Sequence, residues 1–250
     1  MVPASRIVSI VVPCFNERPA IAHLGSVLER LSDRLRESCE METLFVDDGS
    51  TDGTAEALEA IAPRVGGRIL RHDRNRGIAE AFRTGFGSAR GDVVCTIDAD
   101  CTFDPDEIVP MMEVLQRTGA DIVVGSPYHP DGAVRGVPAW RLVLSRGAGR
   151  LYRLLLPVKL ESYTACFRVF RGEAVARLRF DNPGFLGVTQ MLVSAIEQGM
   201  TIVEYPTTLS NRLEGASKMK TLRVLRDHAG YLFHLWRKKS SPAPGERKAG

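Results

Sequence analysis

Three apolar runs in the first hundred residues stop abruptly at acidic side chains. Residues 6–13 (RIVSIVVP) lead to Glu17, residues 43–46 (TLFV) to Asp47-Asp48-Gly49-Ser50, and residues 93–97 (VVCTI) to Asp98-Ala99-Asp100. The runs are continuous rather than alternating, the pattern of strands buried on both faces. Stretches of helical period lie between them. Residues 19–37 place Ile21, Leu24, Leu28, Leu31 and Leu35 on one stripe. Thr51 or Asp52 caps a helix over 55–62, and another helix follows over 78–89. Asp104-Pro105 opens a third that reaches 117, with proline in its first turn. Residues 68–70 and 121–124 complete the strands. Strand and helix alternate five times in about 125 residues, which points to a parallel sheet with right-handed crossovers, an α/β fold.

The remainder reads differently. Residues 126–138 form a Pro/Gly-rich loop, 140–156 a helix with several arginines, 166–170 a strand, 187–198 a helix, and 201–204 a strand ending at Pro206. Residues 209–218 are a polar loop, 221–237 a basic amphipathic helix and 240–250 a disordered tail. The expected organisation is one domain over 1–220, made of halves 1–125 and 126–220, followed by a helix over 221–239 and the tail.

Ligands of open α/β sheets bind beyond the carboxyl ends of the strands. Glu17, Asp47-Asp48 and Asp98/Asp100 all follow such ends, so they should converge. Gathering anions costs free energy unless a cation compensates. Asp98-x-Asp100 puts two hard oxygen ligands on the same side of an extended chain, which suits Mg²⁺ or Mn²⁺ shared with substrate phosphates. Asp47, Asp48 and Asp52 also admit a plainer reading as turn and cap residues.

Taken with Pro13-Cys14-Phe15-Asn16-Glu17, Val46-Asp47-Asp48-Gly49-Ser50-Thr51-Asp52-Gly53-Thr54, Asn75-Arg76-Gly77 and Gly91-Asp92, these segments resemble the family 2 glycosyltransferases of GT-A fold. The second half is similar to the dolichol-phosphate mannose synthase, or polyprenyl-phosphate glycosyltransferase, branch. It shares Gly125-Ser126-x-Tyr128, Phe167-Arg168, Glu204-x-Pro206 and Arg212-x-x-x-Gly215-x-Ser217-Lys218. The match runs from about residue 6 to about residue 220. It implies a Rossmann-like, mostly parallel sheet flanked by helices, a single domain with a C-terminal amphipathic helical extension. It implies an inverting, metal-dependent transfer of a mannose or glucose-like hexose from a GDP- or UDP-sugar to a dolichyl or undecaprenyl phosphate.

By the same resemblance Pro13, Phe15, Glu17, Asp48, Asn75, Gly77, Asp98, Ala99 and Asp100 hold the nucleotide-sugar, with Asp48 at the base or ribose. Asp98 and Asp100 take Mg²⁺ or Mn²⁺ and, with Arg212, form the catalytic set. Arg141, Ser145, Arg212, Ser217 and Lys218 hold the acceptor phosphate. Asn75 and Gly77 also fit an ordinary turn and cap. The chain departs from the synthase pattern at Ser162, where an Asp is usual, at Cys166 in place of Gly, at Gln190 in place of Glu, and at Thr102 in place of Gln. Two positions open to a carboxylate base are thus neutral. A sugar hydroxyl acceptor wants such a base, whereas a phosphate is already an anionic nucleophile.

Charge follows the same division. Residues 1–125 hold 13 Lys+Arg and 21 Asp+Glu, leaving 20 and 9 to residues 126–250. Arg146, Arg150 and Arg153 form one basic stripe beside Leu142, Leu151 and Leu155. Leu222, Leu225, Leu232, Leu235 and Trp236 face Arg223, Arg226, Arg237, Lys238 and Lys239 on the last helix. Such helices fit an anionic membrane surface, and equally fit apolar faces packed on a sheet with solvated charges. No stretch approaches the ~18 apolar residues of a bilayer span, and residues 1–17 lack the features of a signal peptide. Five scattered cysteines without a CxxC pair argue against a disulfide framework or zinc site. The expected place is the cytoplasm or the inner face of the membrane. The acidic half argues against a nucleic-acid partner, and no glycine fingerprint for NAD follows the first strand. The alternatives are a family 2 enzyme with a soluble saccharide or small-molecule acceptor, and a nucleotide-binding scaffold without catalysis.

Overall fold

The computed structural model describes residues 7–211 and 221–240. The run read as the first strand is β1 (Ile7–Cys14), and it lies near the middle of a seven-stranded sheet. Its neighbours are β2 (Glu40–Asp47), β3 (Gly67–Arg71), β4 (Val93–Thr96), β5 (Ile122–Ser126), β7 (Arg168–Arg171) and β8 (Ile202–Pro206), in the order β3-β2-β1-β4-β7-β5-β8. β6 (Ala133–Arg135) and β9 (Thr208–Ser210) form a separate parallel ribbon. Two loops in the sequence reading, 126–138 and 209–218, thus each contribute a short strand.

Helices α1 (Arg18–Leu35), α2 (Thr54–Ile61), α3 (Ile78–Ser88) and α4 (Ile108–Thr118) connect the first five strands. The stripe read on α1 is its buried face: Ile21, Leu24, Leu28, Leu31 and Leu35 are all in the core. Pro105 opens a separate 3₁₀ turn, Pro105–Glu107, before α4 begins. Its cap is Asp104, whose carboxylate accepts from Asp106 N at 3.0 Å. α5 (Ala139–Leu155), α6 (Gly172–Arg177), α7 (Phe185–Glu197) and α8 (Thr221–Ser240) follow. α3 packs with α6 and α7, and α8 packs on α5 and α7. Buried Leu235 and the Tyr152 Oη–His228 Nδ1 contact of 2.8 Å fasten α8 to the body.

One strand makes the sheet mostly, rather than wholly, parallel, as expected. β7 runs antiparallel between β4 and β5. A buried strand has the same apolar signature in either direction, so the sequence does not disclose the reversal. The chain leaves β5 at the carboxyl edge, spends residues 127–167 there and on α5, and re-enters the sheet from that edge. β7 also carries Arg168, which is 1% exposed. Its Nη atoms donate to Val188 O (2.8 Å) and Tyr163 O (3.1 Å), and burial draws its pKa down to about 10.

At the opposite edge Glu42, 3% exposed, accepts from Ser9 Oγ (2.6 Å), Arg90 N (2.7 Å) and Arg90 Nε (2.9 Å). Burial pushes this carboxyl up, but the Ser9 and Arg90 hydrogen bonds outweigh it and the net shift is downward. A carboxyl that titrates lower when folded adds stability above its unfolded value, about 4.5, and loses it as pH falls. Urea midpoints of the wild type and Glu42→Gln should therefore differ at pH 7 and converge as pH falls below about 4. A constant gap between pH 7 and pH 3 would exclude this carboxylate as a source of acid lability.

Candidate functional site

β2, β1 and β4 are adjacent and parallel, so their carboxyl ends deliver the expected acidic groups to one edge. Past β1 the chain turns at Asn16, φ 53°, and Glu17 follows, 8% exposed. This turn is laced to the segment after β2. Asn16 N donates to Ser50 Oγ (3.0 Å), Thr51 N to Asn16 Oδ1 (2.8 Å), and Glu17 N to Thr54 Oγ1 (2.9 Å). Asp47 Oδ1 accepts from Ser50 N (3.0 Å). Asp52 accepts from Thr54 N (3.0 Å) and Arg18 N (3.3 Å). Asp47 and Asp52 thus bond turn amides, as the plainer reading has it, but neither Thr51 nor Asp52 is the helix cap. The N-cap backbone position itself falls to Gly53, φ 86°.

Asp48 does more. It is 2% exposed; Oδ1 accepts from Arg76 N (2.8 Å) and contacts His72 Nδ1 (2.6 Å), while Oδ2 accepts from Gly77 N (2.8 Å). Asn75 and Gly77 therefore lie on a turn pinned to the end of β2, with Asn75 exposed. Gly49 (φ 73°) and Gly77 (φ 106°) allow the approach. A Cβ on Gly49 would stand 2.4 Å from Arg74 C, and one on Gly77 2.4 Å from Pro183 O. Pro13 and Phe15 line the same edge, half-buried.

Asp98 is half-buried, Ala99 is 3% exposed and Asp100 6% exposed, with Asp100 Oδ1 accepting from Thr102 N at 3.1 Å. Cys101 next to them has φ 51°. Among the described residues, Asn16 and Cys101 are the two non-glycines at positive φ, and both sit at this edge. Three thiols sense the convergence of carboxylates. Burial pushes Cys14, Cys101 and Cys166 up, Cys101 to about 12; Asp47 and Glu17 add to the rise at Cys14, Asp100 and Asp98 at Cys101, and Asp98 at Cys166. Protonated thiols are poor ligands, so the edge offers hard oxygen donors. Among the described residues no three His, Cys, Asp or Glu side chains form a ready cage. Asp98 and Asp100 suit a divalent ion completed by ligand phosphates, the usual arrangement for Mg²⁺ and Mn²⁺.

On the other side Arg141 and Ser145 share one face of α5. Ser145 Oγ lies 3.3 Å from Thr164 Oγ1; Arg141 stacks on Trp140, and its buried Nε has no hydrogen-bond partner. Arg212, Ser217 and Lys218 lie outside the described residues. One departure from the synthase pattern, Gln190, receives a physical account, and a second, Ser162, lies in a loop held through its backbone. Glu204, whose carboxyl is raised by burial, accepts from Glu161 N and Ser162 N, both at 2.9 Å. Gln190 Oε1 accepts from Asp181 N (3.2 Å) and Asn182 N (2.9 Å), holding the loop whose Pro183 O accepts from Ala79 N (2.8 Å) and abuts Gly77. The side-chain oxygen does this work, and a glutamine supplies it as well as a glutamate. An open cleft of about 560 Å³ lies between that loop and α8, lined by Asn182, Gln190, Tyr231 and His234 among others. The sequence reading missed His72 and the holding roles of Arg168, Gln190 and Glu204. The available signal for His72 was its place directly after the third strand, ahead of Asn75-Arg76-Gly77.

Comparison with known proteins bears on the family and the fold. The model of Glycosyl transferase family 2 matches residues 9–179. The chain is 32% identical over 219 residues to the polyprenol monophosphomannose synthase of Mycolicibacterium smegmatis, covering 84% of this chain and 80% of that one. It is 29% identical over 232 residues to the dolichol-phosphate mannosyltransferase of Pyrococcus furiosus; this covers 92% of the chain but 63% of the relative, so it spans less than two thirds of that protein. Among solved structures it resembles the glucosyl-3-phosphoglycerate synthase of Mycobacterium tuberculosis in complex with Mn²⁺, UDP and glucosyl-3-phosphoglycerate (TM-score 0.66, 21% identity, 97% and 83% covered). It also resembles the mannosyl-3-phosphoglycerate synthase of Rubrobacter xylanophilus (TM-score 0.69, 17% identity, 98% and 78% covered). These likenesses show the mostly parallel, helix-flanked GT-A architecture.

Gly77 and Gly87 provide an internal contrast. A Cβ on Gly77 meets backbone at positive φ, whereas one on helical Gly87 meets nothing within 4 Å. Gly77→Ala should destabilise by more than ~1 kcal/mol, and Gly87→Ala should stabilise by roughly 0.5–1 kcal/mol, in denaturant titrations. Equal effects at the two sites would remove the strained turn from the account.

Proposed function

The chain belongs to the family 2 glycosyltransferases, and from that premise we propose that it transfers a hexose from a nucleotide-sugar to a polyprenyl phosphate with inversion. The observation that carries the donor half is the placing of Asp98 and Asp100 beside the laced loops of β1 and β2. Asp98 and Asp100 would hold Mg²⁺ or Mn²⁺, which when bound supplies Lewis-acid neutralisation of the departing diphosphate. Pro13, Phe15, Glu17, Asp48, Asn75 and Gly77 form the walls for the nucleoside, and Ala99 sits between the two ligands. The names of the two curated relatives support mannose as the sugar and a lipid-linked phosphate as the acceptor.

The acceptor half rests on the side chains described at the positions open to a base, and on the cations. Gln190 is neutral and its oxygen holds two amides, and Ser162 offers no carboxylate. Glu204 is bonded to two amides behind the loop. A phosphate oxygen needs no proton removed before attacking the anomeric carbon, so it fits this inventory better than a sugar hydroxyl. Arg141 brings a buried N–H without a partner, and Arg212, Ser217 and Lys218 would close over the phosphates from the segment outside the described residues.

A membrane surface would present such an acceptor. No helix among the described residues is long and apolar enough to cross a bilayer. α5 nonetheless exposes Trp140, Val143, Leu151 and Leu154, and α8 exposes Leu222, Leu225, Phe233 and Trp236. Exposed Arg146, Arg150, Arg226 and Arg237 accompany these apolar residues. Two residues of the expected stripe turn inward instead: Leu235 is buried and Leu232 half-buried, and Phe233 takes the outer face. The chain is placed at the cytoplasmic face of a membrane on this reading, attached peripherally through α5 and α8.

A panel of GDP- and UDP-sugars with Mg²⁺ or Mn²⁺, with and without polyprenyl phosphate, tests the activity. Asp100→Asn should lower kcat/KM on the order of 10²-fold or more while the circular dichroism is unchanged; full activity would refute the metal assignment. Turnover only with a soluble acceptor would favour the alternative enzyme, and nucleotide binding without turnover the scaffold. Separately, the wild type should co-sediment with anionic liposomes at low salt, and Trp140→Ala/Trp236→Ala should do so several-fold less. Equal recovery of both proteins in the supernatant would sink the peripheral attachment.

A further inference from the structure

His72 has no part in the reading above, yet it is built into the donor side more firmly than the residues around it. Its side chain and that of Asp48 are each 3% exposed. Nδ1 lies 2.6 Å from Asp48 Oδ1, and Nε2 lies 2.8 Å from Thr84 Oγ1 on α3. An ionised carboxylate only accepts, so Nδ1 carries the proton, and in the neutral ring Nε2 accepts from the Thr84 hydroxyl. The main chain is fixed as well: His72 N donates to Asp47 O at 2.9 Å, carrying the β2–β3 pairing one residue beyond β3. The ring is thus held by the sheet, by α3 and by the carboxylate.

The three donors to Asp48 differ in kind. Arg76 N and Gly77 N belong to one turn, and the plane of a carboxylate bonded to them alone would be set by that turn. Asp48 is itself anchored at the end of β2, its N donating to Cys14 O at 2.8 Å. His72 Nδ1, the donor that belongs to the sheet, adds a restraint on the rotation of the Asp48 carboxylate. It also fixes what remains for a ligand. A carboxylate has about four lone-pair directions. Two on Oδ1 go to Arg76 N and His72 Nδ1 and one on Oδ2 to Gly77 N, leaving one direction on Oδ2.

We infer that His72 is a positioning residue for the donor: through Asp48 it aims the remaining Oδ2 acceptor at an N–H or O–H of the nucleoside and holds the 76–77 turn against it. The inference rests on the donor-site reading above. It separates binding from chemistry, because a residue that orients the nucleoside acts on affinity and leaves the anomeric centre, at Asp98 and Asp100, untouched.

The test is calorimetric binding of UDP and GDP with Mn²⁺, alongside steady-state kinetics, for wild type, His72→Ala, His72→Asn, Thr84→Val and Asp48→Asn, and for His72→Ala/Asp48→Asn. His72→Ala should weaken nucleoside diphosphate and raise donor KM roughly tenfold, the scale of one misaimed charge-assisted hydrogen bond. kcat should stay within about twofold. His72→Asn, whose amide N–H stands in for Nδ1–H, should recover most of the affinity, and Thr84→Val should fall between. The effect of His72→Ala should vanish in the Asp48→Asn background, as a double-mutant cycle requires of a residue acting through another. Unchanged Kd and KM in a folded His72→Ala, an equal effect in the Asp48→Asn background, or a loss confined to kcat would each overturn the inference while leaving the donor site standing. If His72→Ala does not fold, Thr84→Val decides, and wild-type affinity in that variant overturns it. Failure of the wild type to bind either nucleotide would instead bring down the donor reading, and this inference with it.

Discussion

A buried carboxylate at the end of β2 holds the donor edge in place. Asp48 draws two successive amides of the 73–77 loop and one imidazole onto two oxygens, with three contacts of 2.6–2.8 Å. A buried amide left without an acceptor costs about 1–3 kcal/mol, so the loop gains its shape by satisfying these donors together. Everything stacked behind it follows. Gly49 lets the backbone of Arg74 come close, Gly77 lets Pro183 come close, and the Pro183 carbonyl in turn receives the first turn of α3.

The same device recurs along the edge. Asp48 takes the amides of 76 and 77, Gln190 those of 181 and 182, and Glu204 those of 161 and 162. Loops at the end of a parallel sheet leave the ladder and need acceptors for their amides, and here side chains from neighbouring elements provide them in pairs. Charge is incidental to this role. A neutral amide oxygen suffices at Gln190, which explains why the departure from glutamate at that position is compatible with an intact loop. It also narrows the chemistry: an oxygen bonded to two amides is a poor general base, so the holding function and the catalytic function compete for the same atom.

The elements legible in the sequence are those whose signal is local. The β1 run, the α1 stripe and the aspartates after β2 and β4 can all be read from a window of a few residues, and the structure puts them where that reading expects. The reversal of β7 cannot be read so, since burial on both faces looks the same in either direction. Arg168 falls at the centre of the 166–170 strand reading and opens β7 in the structure; its burial is not legible because its acceptors come from a loop and a helix away from β7 itself. His72 is the clearest case. Its partners are 24 and 12 positions away, on another strand and on a helix, and no periodicity marks it. Leu235 and Phe233 show the limit of a helical wheel: two residues apart, they lie on opposite faces, both apolar, and the packing of α8 on α5 and α7 decides which of them faces solvent.

This sorting changes the meaning of the acidic first half. Counted by residue it looks like a reservoir of negative charge, but much of that charge is already answered by the backbone. Asp47 and Asp52 shape turns, Asp48 pins a loop, and Glu42 closes a network at the far edge. On the proposed function the edge would therefore meet a cation with the Asp98-x-Asp100 pair rather than with a pool of carboxylates, and among the described residues no third ligand completes a cage. Two protein carboxylates leave most of the six positions around a hard divalent ion to water or to ligand oxygens. A site of that kind is complete when a diphosphate shares the ion, so the proposed function would link metal affinity to the donor itself and make the loop pinned by Asp48 part of the same binding event.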